Sequence, residues 1–161
     1  MKIEVSNGEI IDKLTIIQIK LERIKDKAKL VNLKKEYDEL ISASSSILNT
    51  ADPLYIALYE VNCELWDIED HIRDLERKKD FGDDFISTAR AVYFNNDKRS
   101  VLKREINIKT SSGLIDEKSY EVLSYWVDRT TLPASLLAAV ALTTMRWRLP
   151  RCCGKMKKEA P

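Results

Sequence analysis

The chain has 161 residues, a length suited to one domain with one hydrophobic core. Apolar residues make up 44% and charged residues 33%, which excludes a disordered chain and a polytopic membrane protein. Four glycines and four prolines argue against a turn-rich β protein, and a net charge of +1 argues against a nucleic-acid partner.

The first predicted helix starts close to residue 6. Its apolar residues recur at alternating intervals of four and three, which places them along one side of a helix. They are Ile10, Leu14, Ile17, Leu21 and Ile24. Ser6 stands three residues before Glu9, a capping-box pattern that predicts where this helix begins.

Two more helices follow with the same apolar spacing. Asp26 is the predicted N-cap of the second helix. Asp52 followed by Pro53 predicts the start of the third, because proline suits the first helical position. The row along the second helix is Leu30, Leu33, Tyr37, Leu40, Ser44 and Ile47. The apolar side of the third is Leu54, Leu58, Val61, Leu65, Ile68, Ile72 and Leu75.

The fourth predicted helix opens with Asp83 and Asp84, whose negative charges suit a helix N-terminus. Its apolar positions are Phe85, Ala89, Val92, Leu102 and Ile106. A short fifth helix is indicated by Tyr120, Leu123 and Val127. The pattern predicts an all-α fold, either an antiparallel bundle of long helices or paired helical hairpins. Such hairpins often complete their core by pairing, so the expected partner is a second copy in a homodimer, with a coiled coil as one form of it.

The last part of the chain has a different composition. All sixteen isoleucines precede residue 121, and residues 121–161 hold seven basic and three acidic residues. We therefore divide the chain into a helical domain, residues 1–128, and a basic, isoleucine-free tail, residues 129–161, which is a candidate for a segment not native to this fold. An apolar run at 136–142, followed by Trp147 between two arginines, could lie at a membrane surface or pack as a core helix.

Recognisable catalytic and metal motifs are missing from the sequence. It contains no glycine-rich phosphate loop, no Cys-x-x-Cys pair, no nucleophile elbow and no His-Glu-x-x-His motif. His71 shares a predicted helix face with Asp67 and Glu64, but without the Glu-x-x-His spacing of di-iron helices, so we interpret these residues as a solvated acidic face. We expect no metal and no cofactor. Three cysteines without a disulfide framework and an N-terminus unlike a signal peptide favour the cytoplasm.

Polar residues interrupt the apolar side of the fourth helix. Buried polar groups are costly unless paired, so this segment predicts partners on other helices. One hypothesis is a ligand pocket built from Arg90, Tyr93, Asn96 and Arg99. The other is that Asn95 and Asn96 break the helix, Asn96 caps a new one and the arginines face water.

Four segments carry a resemblance to a known family. In chain order they are residues 5–16 (VSNGEIIDKLTI), 65–70 (LWDIED), 89–99 (ARAVYFNNDKR) and 117–120 (EKSY). Together they resemble a small bacterial family described as a domain of unknown function, over about residues 1–120. Residues 121–161 depart from its pattern.

The resemblance gives no reaction, but it draws attention to the polar residues of these motifs. They are the ligand-binding candidates Asp12, Lys13, Glu69, Arg90, Tyr93, Asn96, Asp97 and Arg99. The association of the family with surface-polysaccharide genes implies a role in that assembly. Because helical patterning is strong and a catalytic set is missing, we expect a non-catalytic interaction module, with a ligand-binding protein or enzyme as the alternative.

Overall fold

The computed structural model describes residues 3–119, and these form four α-helices. They are α1 (Asn7–Arg23), α2 (Lys27–Ser44), α3 (Pro53–Lys78) and α4 (Asp83–Lys109). Within residues 3–119 the chain contains no strand, so the predicted all-α fold is confirmed. The predicted fifth helix and the tail from residue 129 lie outside the described residues.

The predicted helix starts are confirmed by their caps. The Ser6 side chain accepts from the backbone N–H of Glu9, and Asp26 accepts from the N–H of Ala28 and Lys29. At the start of α3, the Asp52 side chain accepts from the N–H of Leu54. Each cap satisfies donors that the first helical turn leaves without a partner, which is why short polar residues mark these starts.

Helix α4 continues without a break through Asn95 and Asn96. Each side-chain amide donates to a backbone carbonyl one turn earlier, Asn95 to Ala91 and Asn96 to Val92, both at 3.0 Å. The hypothesis that these residues break the helix is therefore wrong. Asparagine can bond local backbone groups without replacing the backbone ladder, and here the ladder is kept.

Ion pairs show how the helices are arranged. The Lys109 ammonium bonds Asp52 where α4 ends and α3 begins, and His71 lies 3.0 Å from Asp84 farther along the same two helices. Helices α3 and α4 thus form an antiparallel hairpin. The Lys13 ammonium lies 2.7 Å from the Glu36 carboxylate, linking α1 to α2.

Helix α1 is the centre of the fold because it packs against each of the other three helices. It joins the α1–α2 hairpin to the α3–α4 hairpin. The main core comprises Ile11, Leu14, Leu48, Tyr55, Leu58 and Ile106. Helix α2 packs against α1 and lies at the edge of the fold, since Ser44 is its one buried residue. Among residues 3–119, no helix has the length and apolar composition needed to cross a bilayer.

The Asp52 carboxylate gives the fold one pH-dependent contact. Bonding to Lys109, followed by the N–H of Leu54, lowers the pKa of Asp52 from its usual value. Because the pKa is lowered, the ionised carboxylate stabilises the folded state at any pH above the unfolded pKa of about 3.9. This stabilisation is lost as the pH falls through the pKa that Asp52 has in the folded state.

We therefore predict a pH-dependent cost for Asp52→Asn. Asparagine caps a helix as well as aspartate, so the substitution removes only the charge. The free energy of unfolding should fall by less than about 1 kcal/mol at pH 7, and the difference from wild type should vanish near pH 2. Urea unfolding across this pH range measures it. A difference that persists at pH 2 would contradict the assignment.

Candidate functional site

The most buried charged group of the described residues lies between α1 and α4. Asp12 on α1 is only 2% exposed, and Arg99 on α4 bonds both of its carboxylate oxygens. The Arg99 Nε lies 2.8 Å from Asp12 Oδ1, and an Arg99 terminal nitrogen lies 2.5 Å from Oδ2. This two-point contact is the strongest geometry that an arginine and a carboxylate can form.

Two further side chains complete this group, which we call the Asp12 cluster (Asp12, Thr15, Asn62 and Arg99). The Asn62 amide on α3 donates to Asp12 Oδ1 and to Thr15 Oγ1, both at 2.9 Å. The Thr15 hydroxyl donates to the Asp12 backbone carbonyl at 2.7 Å. The cluster therefore links α1, α3 and α4 through hydrogen bonds that meet at Asp12 and Thr15.

The Asp12 cluster satisfies its own polar groups. Among the described residues, every fully buried side-chain nitrogen or oxygen has a hydrogen-bond partner. Bonding to Asp12 raises the pKa of Arg99 above its usual value, against the opposing effect of burial, with smaller contributions from Glu9 and Glu69. A carboxylate that receives three hydrogen bonds from the protein has little capacity left for a ligand.

The start of α1 is also bonded to side chains at the end of α4 and just after it. The backbone N–H of Gly8 donates to Asn107 Oδ1 at 2.6 Å, and the N–H of Asn7 donates to Ser112 Oγ at 3.0 Å. Lys103, one turn before Asn107 on α4, pairs with Glu9. A helix N-terminus often binds an anion, but here side chains of the same chain occupy its free donors.

The predicted pocket residues divide between opposite sides of α4. Arg90 and Arg99 are nine residues apart, which is two and a half turns of helix, so Arg90 points away from the Asp12 cluster. On that far side the Arg90 Nε donates to the Tyr93 hydroxyl at 3.2 Å. Asn96 bonds the backbone of its own helix. The structure brings together Asp12 and Arg99, but not the four residues of the predicted pocket.

Two of the three remaining candidates, Lys13 and Glu69, take part in surface ion pairs. Lys13 pairs with Glu36 on α2, as described above. Glu69 pairs with Arg73 at 2.9 Å within α3. Asp97 lies on α4 and is partly buried. The His71 side chain is about half exposed beside Asp84. Among residues 3–119, no three possible ligands lie close enough together to hold a metal ion.

A groove of about 290 Å³ lies between α1 and α3 beside the Asp12 cluster. Asn62 forms part of its lining, together with the Trp66 ring and the Glu69–Arg73 ion pair. The Arg23 guanidinium lies 5.8 Å from the centre of the Trp66 ring. Of the predicted ligand-binding candidates, Glu69 is the one that lines this groove.

Three buried polar residues that bond across helices around α1 had no role in the sequence analysis: Thr15, Asn62 and Asn107. A signal for Asn62 was present, because it lies four residues after Leu58 and three before Leu65, at the spacing of the apolar side of α3. A polar residue at such a position requires a buried partner. Which partner it has depends on how the helices pack.

Comparison with known proteins gives a family but no activity. A sequence model described as "Family of unknown function (DUF6165)" matches residues 1–127. This match confirms the resemblance to a family of unknown function. No curated protein and no solved structure matches the chain.

Proposed function

The chain belongs to this family of unknown function, and we propose that it is a non-catalytic interaction module that forms a homodimer through its helices. The proposal places it in the cytoplasm of a bacterium, where it supports surface-polysaccharide assembly through protein contacts. The link to polysaccharide assembly comes from the sequence resemblance. The homodimer is supported by one observation, a second apolar face on α4.

This outer face of α4 comprises seven residues at steps of four and three: Ile86, Arg90, Tyr93, Asp97, Val101, Arg104 and Ile108. Its four apolar side chains are all exposed, from 39% for Tyr93 to 61% for Ile108. Such spacing gives a continuous row along a helix. The row therefore places four exposed apolar side chains along most of α4, with charged residues between them.

The outer face lies opposite the buried side of the helix. Ile86 is nine residues from the buried Asn95, and the exposed Val101 is nine residues from Val92. Nine residues are two and a half helical turns, so the members of each pair lie on opposite sides of α4. A surface helix normally carries one apolar side and one polar side. A helix that is apolar on two opposite sides is suited to pack against a further helix, and a second copy of the chain supplies one.

The alternative, ligand binding or catalysis by the polar network, has weaker support. The Asp12 cluster is closed by its own hydrogen bonds, and Arg90 and Tyr93 lie on the far side of α4. The groove between α1 and α3 is the feature that favours ligand binding, through Asn62 and Glu69. Its charged residues are largely paired with one another, so it does not indicate a particular ligand.

An acidic residue at Val101 tests the homodimer. Val101→Asp should convert the dimer to monomer because it places a charge in an apolar contact, while the thermal unfolding of the monomer changes little. Val31→Asp is the matched control, since Val31 is 70% exposed on α2, away from α4. Sedimentation equilibrium measures the association state of both variants, and a thermal melt measures their unfolding. A monomeric wild-type protein, or equal dissociation in both variants, would overturn the homodimer.

A further inference from the structure

We propose that the outer face of α4 pairs with the same face of a second copy in an antiparallel arrangement, with Arg90 opposite Asp97 of the partner subunit. This inference rests on the proposed homodimer and adds to it the interface and its alignment. The argument comes from the order of charges along α4.

Charged and apolar residues alternate along the outer face. Its charged members, Arg90, Asp97 and Arg104, are spaced seven residues apart and carry positive, negative and positive charge. Seven residues are close to two helical turns, so the three charges form one row. This order is symmetric about Asp97, and that symmetry restricts how two copies can pair.

An antiparallel pair centred on Asp97 is unfavourable. It would place the two Asp97 carboxylates opposite each other, and Arg90 opposite Arg104 of the partner subunit. A parallel pair in register would oppose every charge with itself. Like charges facing each other across an interface oppose association, so both arrangements are disfavoured.

An antiparallel offset of one heptad removes these conflicts. With the two-fold axis between Tyr93 and Phe94, Arg90 faces Asp97 of the partner subunit and Asp83 faces Arg104 of the partner subunit. The symmetry generates each ion pair twice. The offset in the other direction pairs Asp97 with Arg104 of the partner subunit, but it places Arg90 opposite residue 111, beyond the end of α4, so one kind of ion pair is formed in place of two.

The same offset matches the apolar residues. Ile86 faces Val101 of the partner subunit, and both side chains are exposed within the single chain, at 53% and 44%. At the axis, Tyr93 meets Phe94 of the partner subunit; within one chain their ring centres are 4.6 Å apart. Residues 83–104 of α4 therefore pair with the same residues of the second copy, with apolar contacts and ion pairs in alternation.

A charge swap tests this alignment in the full-length protein. Asp97→Arg and Arg90→Asp should each raise the dimer dissociation constant about tenfold, because each replaces two attractive pairs with two repulsive ones. The double variant restores opposite charges and should return to within about threefold of wild type. Asp38→Arg, an exposed position on α2, is the matched control and should leave the constant unchanged.

Each outcome of sedimentation equilibrium decides one question. Loss in both single variants with recovery in the double variant supports the alignment. A dimer that the single variants do not weaken, or that the double variant does not restore, overturns the alignment and leaves the homodimer standing. A wild-type chain that is monomeric overturns both. The Val101→Asp result separates these cases, because it reports on the apolar contact alone.

Discussion

Gly8→Ala is expected to lower the free energy of unfolding by about 2–3 kcal/mol. An added Cβ at Gly8 would lie 2.5 Å from the backbone carbonyl oxygen of Lys103 and 3.0 Å from Asn107 Oδ1. Real Cβ atoms do not approach oxygen so closely, and the carbonyl belongs to the backbone of α4. The start of α1 would have to move away from α4, which would also strain the Gly8 hydrogen bond to Asn107.

Gly113→Ala is the matched control for this prediction. A Cβ at Gly113 meets no atom within 4 Å, so its replacement should change stability by no more than about 0.5 kcal/mol. Urea unfolding of the two variants, compared with wild type, measures the cost of the close approach. If Gly8→Ala proved as stable as Gly113→Ala, α1 and α4 would not pack as closely as the structure shows.

Arg99→Met is expected to destabilise the protein by about 3–5 kcal/mol. Methionine keeps much of the volume of the arginine side chain but leaves the Asp12 carboxylate buried without its cation. The Asp12 side chain is only 3% exposed, so water cannot replace the lost contact. Breaking a buried ion pair from one side costs more than the pair itself contributes, because the remaining charge stays desolvated.

A second variant tests whether the cost arises from the pair. Asp12→Ala together with Arg99→Met should cost less than the sum of the two single changes, since the double variant leaves no buried charge. Arg73→Met is the surface control: Arg73 pairs with Glu69 and Asp70 while remaining 60% exposed, and its loss should cost less than about 1 kcal/mol. Additive effects in the double variant would contradict a coupled pair.

The fold class and most helix starts were predictable because their causes are local. A capping side chain acts on donors two or three residues away, as Asp26 and Asp52 do at the starts of α2 and α3. Apolar residues at steps of four and three lie on one side of a helix wherever that helix packs. The break predicted at Asn95 and Asn96 failed because asparagine bonds its own helix as readily as it caps a new one.

The site was predictable only in part. Arg99 belonged to a polar segment that was expected to have partners on other helices, and Asp12 was a ligand-binding candidate, but nothing in their spacing joined one to the other across 87 positions. Arg90 and Tyr93 were grouped with Arg99 because they are near in sequence. Helical geometry places Arg90 on the opposite side of α4, and this could be judged only once α4 was known to be continuous.

The sequence by itself determined that the chain is helical and where α1, α2 and α3 begin. These properties depend on interactions within a few residues. The tertiary structure alone decided that Asn62 and Arg99 meet at Asp12, that Gly8 lies against Lys103, and that the outer face of α4 keeps four apolar side chains exposed. Such pairings depend on how helices distant in sequence pack, and the energies that select them act only after those helices are in contact.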